Sequence, residues 1–149
     1  MKALILSGYG INCEEETFNA FNIAGIEATI VHINDLIENP KKLKSFQVLA
    51  LPGGFSYGDH TGSGNAMAHK IKNNLFENIV DFIERDKLVI GICNGCQILI
   101  NLGIAPASEG YKRELALVEN DIPTYQCRWV NIKVIRQKSP WLKKIKKLY

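Results

Sequence analysis

The sequence predicts an α/β domain, doubly wound around a mostly parallel sheet with helices on both faces. Three observations carry that prediction. Short apolar runs that end in glycine or proline alternate with amphipathic helical stretches along the chain. The runs are apolar almost throughout, as strands buried on both faces are. The two most irregular glycine-rich segments, "PGGFSYGD" (52–59) and "CNG" (93–95), each follow such a run, where sheets of this kind bind ligands.

"KALILSG" (2–8) is the first strand. "NCEEETFNAFNIAG" (12–25) reads as a helix, with Asn12 as N-cap, Glu14, Glu15 and Glu16 at the positive end of its dipole, and Gly25 as the stop. "IEATIVHI" (26–33) is the second strand, and "FQVLALPGG" (46–54) is the third, broken by proline and two glycines. "NNLFENIVDFIERD" (73–86) is an amphipathic helix with Leu75, Ile79, Phe82 and Ile83 on one face. "KLVIGI" (87–92) makes the fourth strand and "GCQILINLG" (95–103) the helix after it, joined by right-handed crossovers. "YQCRWVNIKVI" (125–135) alternates in the manner of an antiparallel or edge strand. No repeat, low-complexity run or linker divides the chain, so one domain over residues 1–149 is expected.

At 149 residues and 46% apolar content the chain can bury a real core. Its net charge of +3 conceals an asymmetry. Six of the 18 basic residues (Arg136, Lys138, Lys143, Lys144, Lys146 and Lys147) crowd into positions 136–149, leaving 12 against 15 acidic groups in the body. A basic end can contact nucleic acid or an anionic membrane. Here Trp141, Leu142, Ile145 and Leu148 recur at helical spacing, so the lysines read as the wet side of an amphipathic turn, with neither partner expected. No apolar run approaches the roughly 20 residues of a membrane span. The opening "MKALILSGYG" is too briefly apolar for a secretory signal, and a cytoplasmic enzyme or binding protein is expected.

Four cysteines, Cys13, Cys93, Cys96 and Cys127, would allow two disulfides, but a reducing compartment is the expectation. Cys93 and Cys96 form a C-x-x-C. A zinc ribbon needs a second close pair, and Cys13 and Cys127 stand alone, so no metal is expected. A thioredoxin-type dithiol would follow an exposed loop, whereas this pair sits in an apolar strand-to-helix junction.

"GICNG" (91–95) is the thiol counterpart of the G-x-S-x-G nucleophile elbow. A tight strand-to-helix turn strains the backbone of the nucleophile and lifts its side chain clear of the sheet. Gly91 and Gly95 remove side chains that would collide across the turn. The helix that follows aims free N–H groups at the Cys93 sulfur, favouring thiolate. The same turn directs the Asn94 N–H to where an oxyanion would form, and Gly53–Gly54 is placed to supply a second donor. The plainer interpretation makes Cys93 a small core residue at a strand end. Strand, thiol, flanking glycines, helix and facing glycine loop together favour the nucleophile.

At these residues the chain resembles class I (triad) glutamine amidotransferases, whose fold is flavodoxin-like. Within them it resembles the small glutaminase subunits of phosphoribosylformylglycinamidine synthases. The resemblance runs in order through "SGYGINCE", "LPGGFSYGD", "GICNGCQILINLG" and "CRWVNIKV". It implies hydrolysis of glutamine through a γ-glutamyl thioester on Cys93, with Gly54 and Asn94 as oxyanion donors and Gly53 and Gln97 holding substrate. The ammonia would pass to a large synthetase subunit, with a small bridging subunit as a further partner. ATP and magnesium are implied only for the synthetase, and no cofactor for this chain. The sequence agrees: it has no G-x-x-x-x-G-K-[ST], and "GSGNAM" lacks the third glycine of a dinucleotide loop. Arg128 and Trp129 match the late motif without an assigned role; Tyr57 and Asp59 read as holding their loop.

Two departures from the family stand out. Cys96 replaces a large apolar residue, and one turn past the elbow it is expected to be a buried small hydrophobe. The family's catalytic His and Glu belong to a later H-x-E motif, which is absent after Arg136. A truncated or degenerate copy, with an incomplete C-terminal part, is therefore expected. His60 is the nearest substitute base, ahead of His32 and His69. Two other readings stay open: a non-catalytic binding subunit of the synthetase, and a member of the related cysteine-elbow hydrolases and chaperones. The latter would activate the thiol with a carboxylate among Glu14 to Glu16.

Overall fold

The computed structural model describes residues 1–106, 110–133 and 139–142. Four strands, β1 (Lys2–Ser7), β2 (Glu27–His32), β3 (Val48–Leu51) and β4 (Leu88–Gly91), form one sheet in the order β2-β1-β3-β4. All three pairings are parallel, with Ile5 opposite Ile30 on one side and Ala50 on the other, and Leu49 opposite Val89. The fold is the predicted doubly wound α/β sheet. The order in which strands are added reverses between β1 and β3, and their carboxyl ends flank the crevice where this class binds ligands.

Helix α1 (Glu14–Ile23) joins β1 to β2, and α2 (Ile33–Glu38) with a 3-10 turn (Pro40–Ser45) leads to β3. Helices α3 (Asn65–Asn74) and α4 (Phe76–Glu84) join β3 to β4, and α5 (Asn94–Leu102) follows the elbow. Leu4, Leu6, Leu49 and Leu51 point to one face of the sheet and share a core with Leu36, Met67, Ile71, Phe82, Ile98 and Leu102. Ala3, Ile5, Val48 and Ala50 on the other face are equally buried, because a parallel sheet covered on both sides leaves no wet register.

Three local expectations are corrected. The predicted helix over 73–86 is two helices broken at Leu75, whose ψ of −4° leaves helical geometry; Asn73 and Asn74 belong to α3. Asn12 is not the N-cap of α1. Cys13 is, because Gly53 O binds both the Asn12 and Cys13 N–H groups, at 3.3 and 3.2 Å, and delays the first helical bond, Thr17 N to Cys13 O. Finally, residues 125–133 form no strand: a strand needs a paired neighbour, and none lies beside them among the described residues.

The chain divides into two compact units, Met1–Leu117 and Val118–Tyr149. In the second, 118–133 is exposed throughout, with a short turn from Thr124 N to Ile122 O, and Pro140–Leu142 forms a 3-10 turn. Arg136, Lys138, Lys143, Lys144, Lys146 and Lys147 of the basic end, with Ile145 and Leu148 of its apolar stripe, lie outside the described residues. Among the described residues no helix is long and apolar enough to cross a membrane.

Candidate active site

Three segments meet at the carboxyl ends of the strands: 8–13 after β1, 52–59 after β3 and 92–94 after β4. The first two are strapped together by Phe55 N to Gly10 O (2.8 Å) and by the bonds from Asn12 and Cys13 to Gly53 O. The third is tied to β3 through Ile92 N to Leu51 O at 3.0 Å.

Cys93 occupies the N-cap position of α5 with φ 52° and ψ −111°, and it is exposed. A non-glycine residue in that region stores about 1–3 kcal/mol of strain. The flanking glycines explain how the turn closes. A Cβ on Gly91 would stand 2.6 Å from Gly95 O, and one on Gly95 would overlap the Leu51 carbonyl. The turn can therefore fold only with hydrogen at both positions, and folding it lifts the thiol out of the sheet.

Gly53 packs against the Cys93 side chain: a Cβ there would lie 3.5 Å from Cys93 Cβ. Gly54 takes φ +144°, with no room for a side chain beside Gly10 O and Asn12 N. Among the described residues, the backbone N–H groups of Gly54 and Asn94 have no intramolecular acceptor. Both remain able to donate to a ligand.

The Asn94 side chain is fully buried and does what the sequence did not announce. Its Oδ1 accepts from Ser56 N (3.1 Å), and its Nδ2 donates to Asp59 Oδ1 (3.1 Å) and Gln97 Oε1 (3.0 Å). Asp59 Oδ1 also accepts from Gly64 N at 3.3 Å. One amide thus fixes the glycine loop to the elbow helix, and Asp59 holds the loop as expected. Gln97 has its carbonyl oxygen engaged by Asn94. Cys93, Gly53, Gly54, Asn94 and Gln97, predicted from separate motifs, belong to one connected cluster.

Tyr57 (φ 55°) stacks on Tyr9 (φ 48°) at 4.9 Å between ring centres, and Lys70 Nζ lies 5.1 Å from the Tyr9 ring. Burial first, and Tyr9 second, push the Tyr57 hydroxyl above its ordinary range.

Other expectations separate from the cluster. Cys96 is half-buried rather than buried, because the inner stripe of α5 runs through Gly95, Ile98, Leu99 and Leu102 and position 96 falls to its side. His32 Nδ1 accepts from Asn34 N (3.2 Å). His60 and His69 are exposed, and no histidine hydrogen-bonds Cys93 among the described residues. Glu14 accepts from Ser7 Oγ at 3.0 Å through Oε1, while its buried Oε2 has no partner among the described residues. Arg128 and Trp129 are exposed in the second unit. Among the described residues no three His, Cys, Asp or Glu side chains cluster as a metal site would require.

Known proteins give this geometry a family. The CobB/CobQ-like glutamine amidotransferase domain matches residues 1–148. A Methanococcus maripaludis protein named phosphoribosylformylglycinamidine synthase subunit PurQ is 55% identical over 134 residues, covering 89% of this chain and 49% of its own. The Dehalococcoides mccartyi protein of that name is 43% identical, covering 90% of this chain and 52% of its own. The chain spans about half the length of the curated relatives it matches. Among solved structures, PurLQS from Thermotoga maritima superposes with TM-score 0.69 at 34% identity, over 87% of this chain and 53% of that one. A putative protease I from Bacteroides thetaiotaomicron superposes with TM-score 0.51 at 21% identity, over 69% and 68% of the two chains, a likeness of fold alone.

Proposed function

Because the chain belongs to the CobB/CobQ-like glutamine amidotransferase domain family, we propose that it carries the nucleophile and oxyanion half of a phosphoribosylformylglycinamidine synthase glutaminase site. The observation that carries this reading is the strained, exposed Cys93 at the head of α5 with the Gly53–Gly54 backbone packed against it. In this reading the Cys93 thiolate attacks the side-chain amide carbon of glutamine. Negative charge collects on the former carbonyl oxygen, where the Gly54 and Asn94 N–H groups donate to it. The C–N bond breaks, nitrogen leaves as ammonia after gaining a proton, and a γ-glutamyl thioester remains on Cys93. Water then hydrolyses the thioester, releasing glutamate and restoring the thiol. Gly53 and Gln97 position the substrate.

The relatives' names, which make them subunits of a synthase, support other synthase subunits as the destination of the ammonia. In this reading a large synthetase subunit would use it, with ATP and magnesium, to amidate formylglycinamide ribonucleotide, with a small bridging subunit as a further partner. The cytoplasm fits that assignment. No cofactor is assigned to this chain.

A second reading rests on one specific observation. A general base must stand within roughly 3 Å of the proton it moves, and among the described residues no histidine or carboxylate hydrogen-bonds Cys93. On that reading the chain binds the synthetase without turning over glutamine. One experiment separates the two. Purified protein is treated with a glutamine-like chloroketone, mapped by mass spectrometry, and assayed in parallel for ammonia release. Labelling of Cys93 ahead of Cys13, Cys96 and Cys127 together with ammonia release supports the glutaminase. Labelling without ammonia supports the binding subunit, and equal labelling of all four thiols removes the glutaminase.

A further inference from the structure

Cys93 is not the only thiol at the site. Cys13 caps α1 as Cys93 caps α5, so two helices begin on cysteines beside Gly53. The point where a Gly53 Cβ would sit is 3.4 Å from Cys13 Sγ and 3.5 Å from Cys93 Cβ, and 3.7 Å from Cys13 Cβ. Both cysteine side chains thus approach the space that a Gly53 side chain would fill. The two Cβ atoms are no more than about 7 Å apart, against about 3.5–4.5 Å in a disulfide.

We propose that Cys13 and Cys93 are a modification site that closes into a reversible disulfide across Gly53 on exposure to a peroxide. The inference rests on reading Cys93 as the reactive thiol. Closing the gap needs movement, and α1 supplies it: of its ten residues only Thr17 is buried. Cys13 Sγ has one weak partner to surrender, Asn12 Oδ1 at 3.6 Å.

The chemistry balances with hydrogen peroxide as oxidant. The Cys93 thiolate attacks one peroxide oxygen, the O–O bond breaks, and the departing hydroxide takes up a proton to become water, leaving a sulfenic acid. Cys13 sulfur attacks the sulfenic sulfur, the S–S bond forms, the S–O bond breaks, and water leaves with the Cys13 proton. Two thiols lose two electrons, and one peroxide becomes two waters. Cys96 is the rival partner, one helical turn into α5. The geometry points to Cys13, because its Sγ and the Cys93 Cβ lie 3.4 and 3.5 Å from one shared point, the place of a Gly53 Cβ.

The test oxidises the full chain with hydrogen peroxide, blocks remaining thiols with iodoacetamide and maps the peptides before and after dithiothreitol. A Cys13–Cys93 peptide is expected, with loss of chloroketone labelling at Cys93 that dithiothreitol restores. In Cys13→Ser the Cys93 thiol should instead proceed to sulfinic acid, and labelling should stay lost. Gly53→Ala sharpens the test: its methyl would make ordinary contacts of 3.4 Å to Cys13 Sγ and 3.5 Å to Cys93 Cβ, so the fold survives, yet it fills space beside the Cys13 sulfur that the cross-link must use, and the yield of the cross-linked peptide should fall. A Cys93–Cys96 peptide, or full recovery in Cys13→Ser, overturns the inference. If reduced Cys93 is no more reactive than Cys127, the glutaminase reading itself fails. If Cys93 reacts first and Cys13 stays free, only the disulfide fails.

Discussion

Helices α1 and α5 start alike and finish differently. Each opens on a cysteine at the same crevice. Helix α5 then buries Asn94, Gly95, Ile98, Leu99, Ile100 and Leu102, whereas α1 buries Thr17 alone and leaves Ile23 88% exposed. One thiol is therefore mounted on a fixed post and the other on a loosely seated one. Strain at Cys93 persists because the packing beneath it over-determines the turn. At Cys13 nothing comparable is stored. A site that must hold a reactive atom in one geometry needs the first kind of support; a group that can approach it needs the second.

The sharpest way to break the contrast is to add one methyl at each helix. Gly95→Ala drives a Cβ into the Leu51 carbonyl, and neither helix nor strand backbone can retreat without opening the core. The expected cost exceeds about 4 kcal/mol, enough to threaten the fold. Gly25→Ala, just past the end of α1, meets nothing within 4 Å. Its cost is the positive φ alone, about 1–2 kcal/mol. Urea unfolding of both variants checks the difference. Equal losses would mean that the elbow is no tighter than the surface turn.

A smaller effect is expected from Asn94→Ala. The change strands the Ser56 N–H and one Asp59 contact in a buried place, costing about 2–3 kcal/mol. Chloroketone labelling of Cys93 should slow with it, since the glycine loop loses its tie to the helix. Thr17→Val in α1 exchanges the hydroxyl for a methyl and so removes its bond to Cys13 O, about 1 kcal/mol, and should leave labelling unchanged. Were Asn94→Ala to lose stability without slowing the label, its amide would serve packing and not the site.

The asymmetry was only partly legible in the sequence. Strands buried on both faces announce themselves as apolar runs, and Gly91 and Gly95 announce the elbow because their clash partners lie within a few residues or on the adjoining strand. Helix α3 was missed: Met67, Ala68 and Ile71 are too few among polar neighbours to mark a helix by pattern. The cap of α1 was misplaced for a nonlocal reason, the Gly53 carbonyl reaching back across the crevice to take two N–H groups. The nearness of Cys13 to Cys93 was invisible on the same ground, being made by strand order and not by spacing. Over 125–133 the alternation was real, but alternation tells which face would be buried, not that a neighbouring strand is there to pair.

The smallest expected effect tests which chemistry the comparison belongs to. Glu14 opens α1 directly after Cys13, accepts from Ser7 Oγ through one oxygen and leaves the other buried without a partner among the described residues. In a glutaminase this carboxylate is structural. In a cysteine-elbow hydrolase a carboxylate in this part of the chain would activate the thiol. Glu14→Gln keeps the shape and an acceptor for Ser7 while removing the charge. If the role is structural, stability should change by less than about 1 kcal/mol in either direction, since an orphaned acceptor gives way to a neutral amide. The rate of Cys93 labelling between pH 6 and 9 should then superimpose on that of the parent. A labelling profile displaced along the pH axis would instead make α1 a working part of the elbow, and would count against the proposed glutaminase.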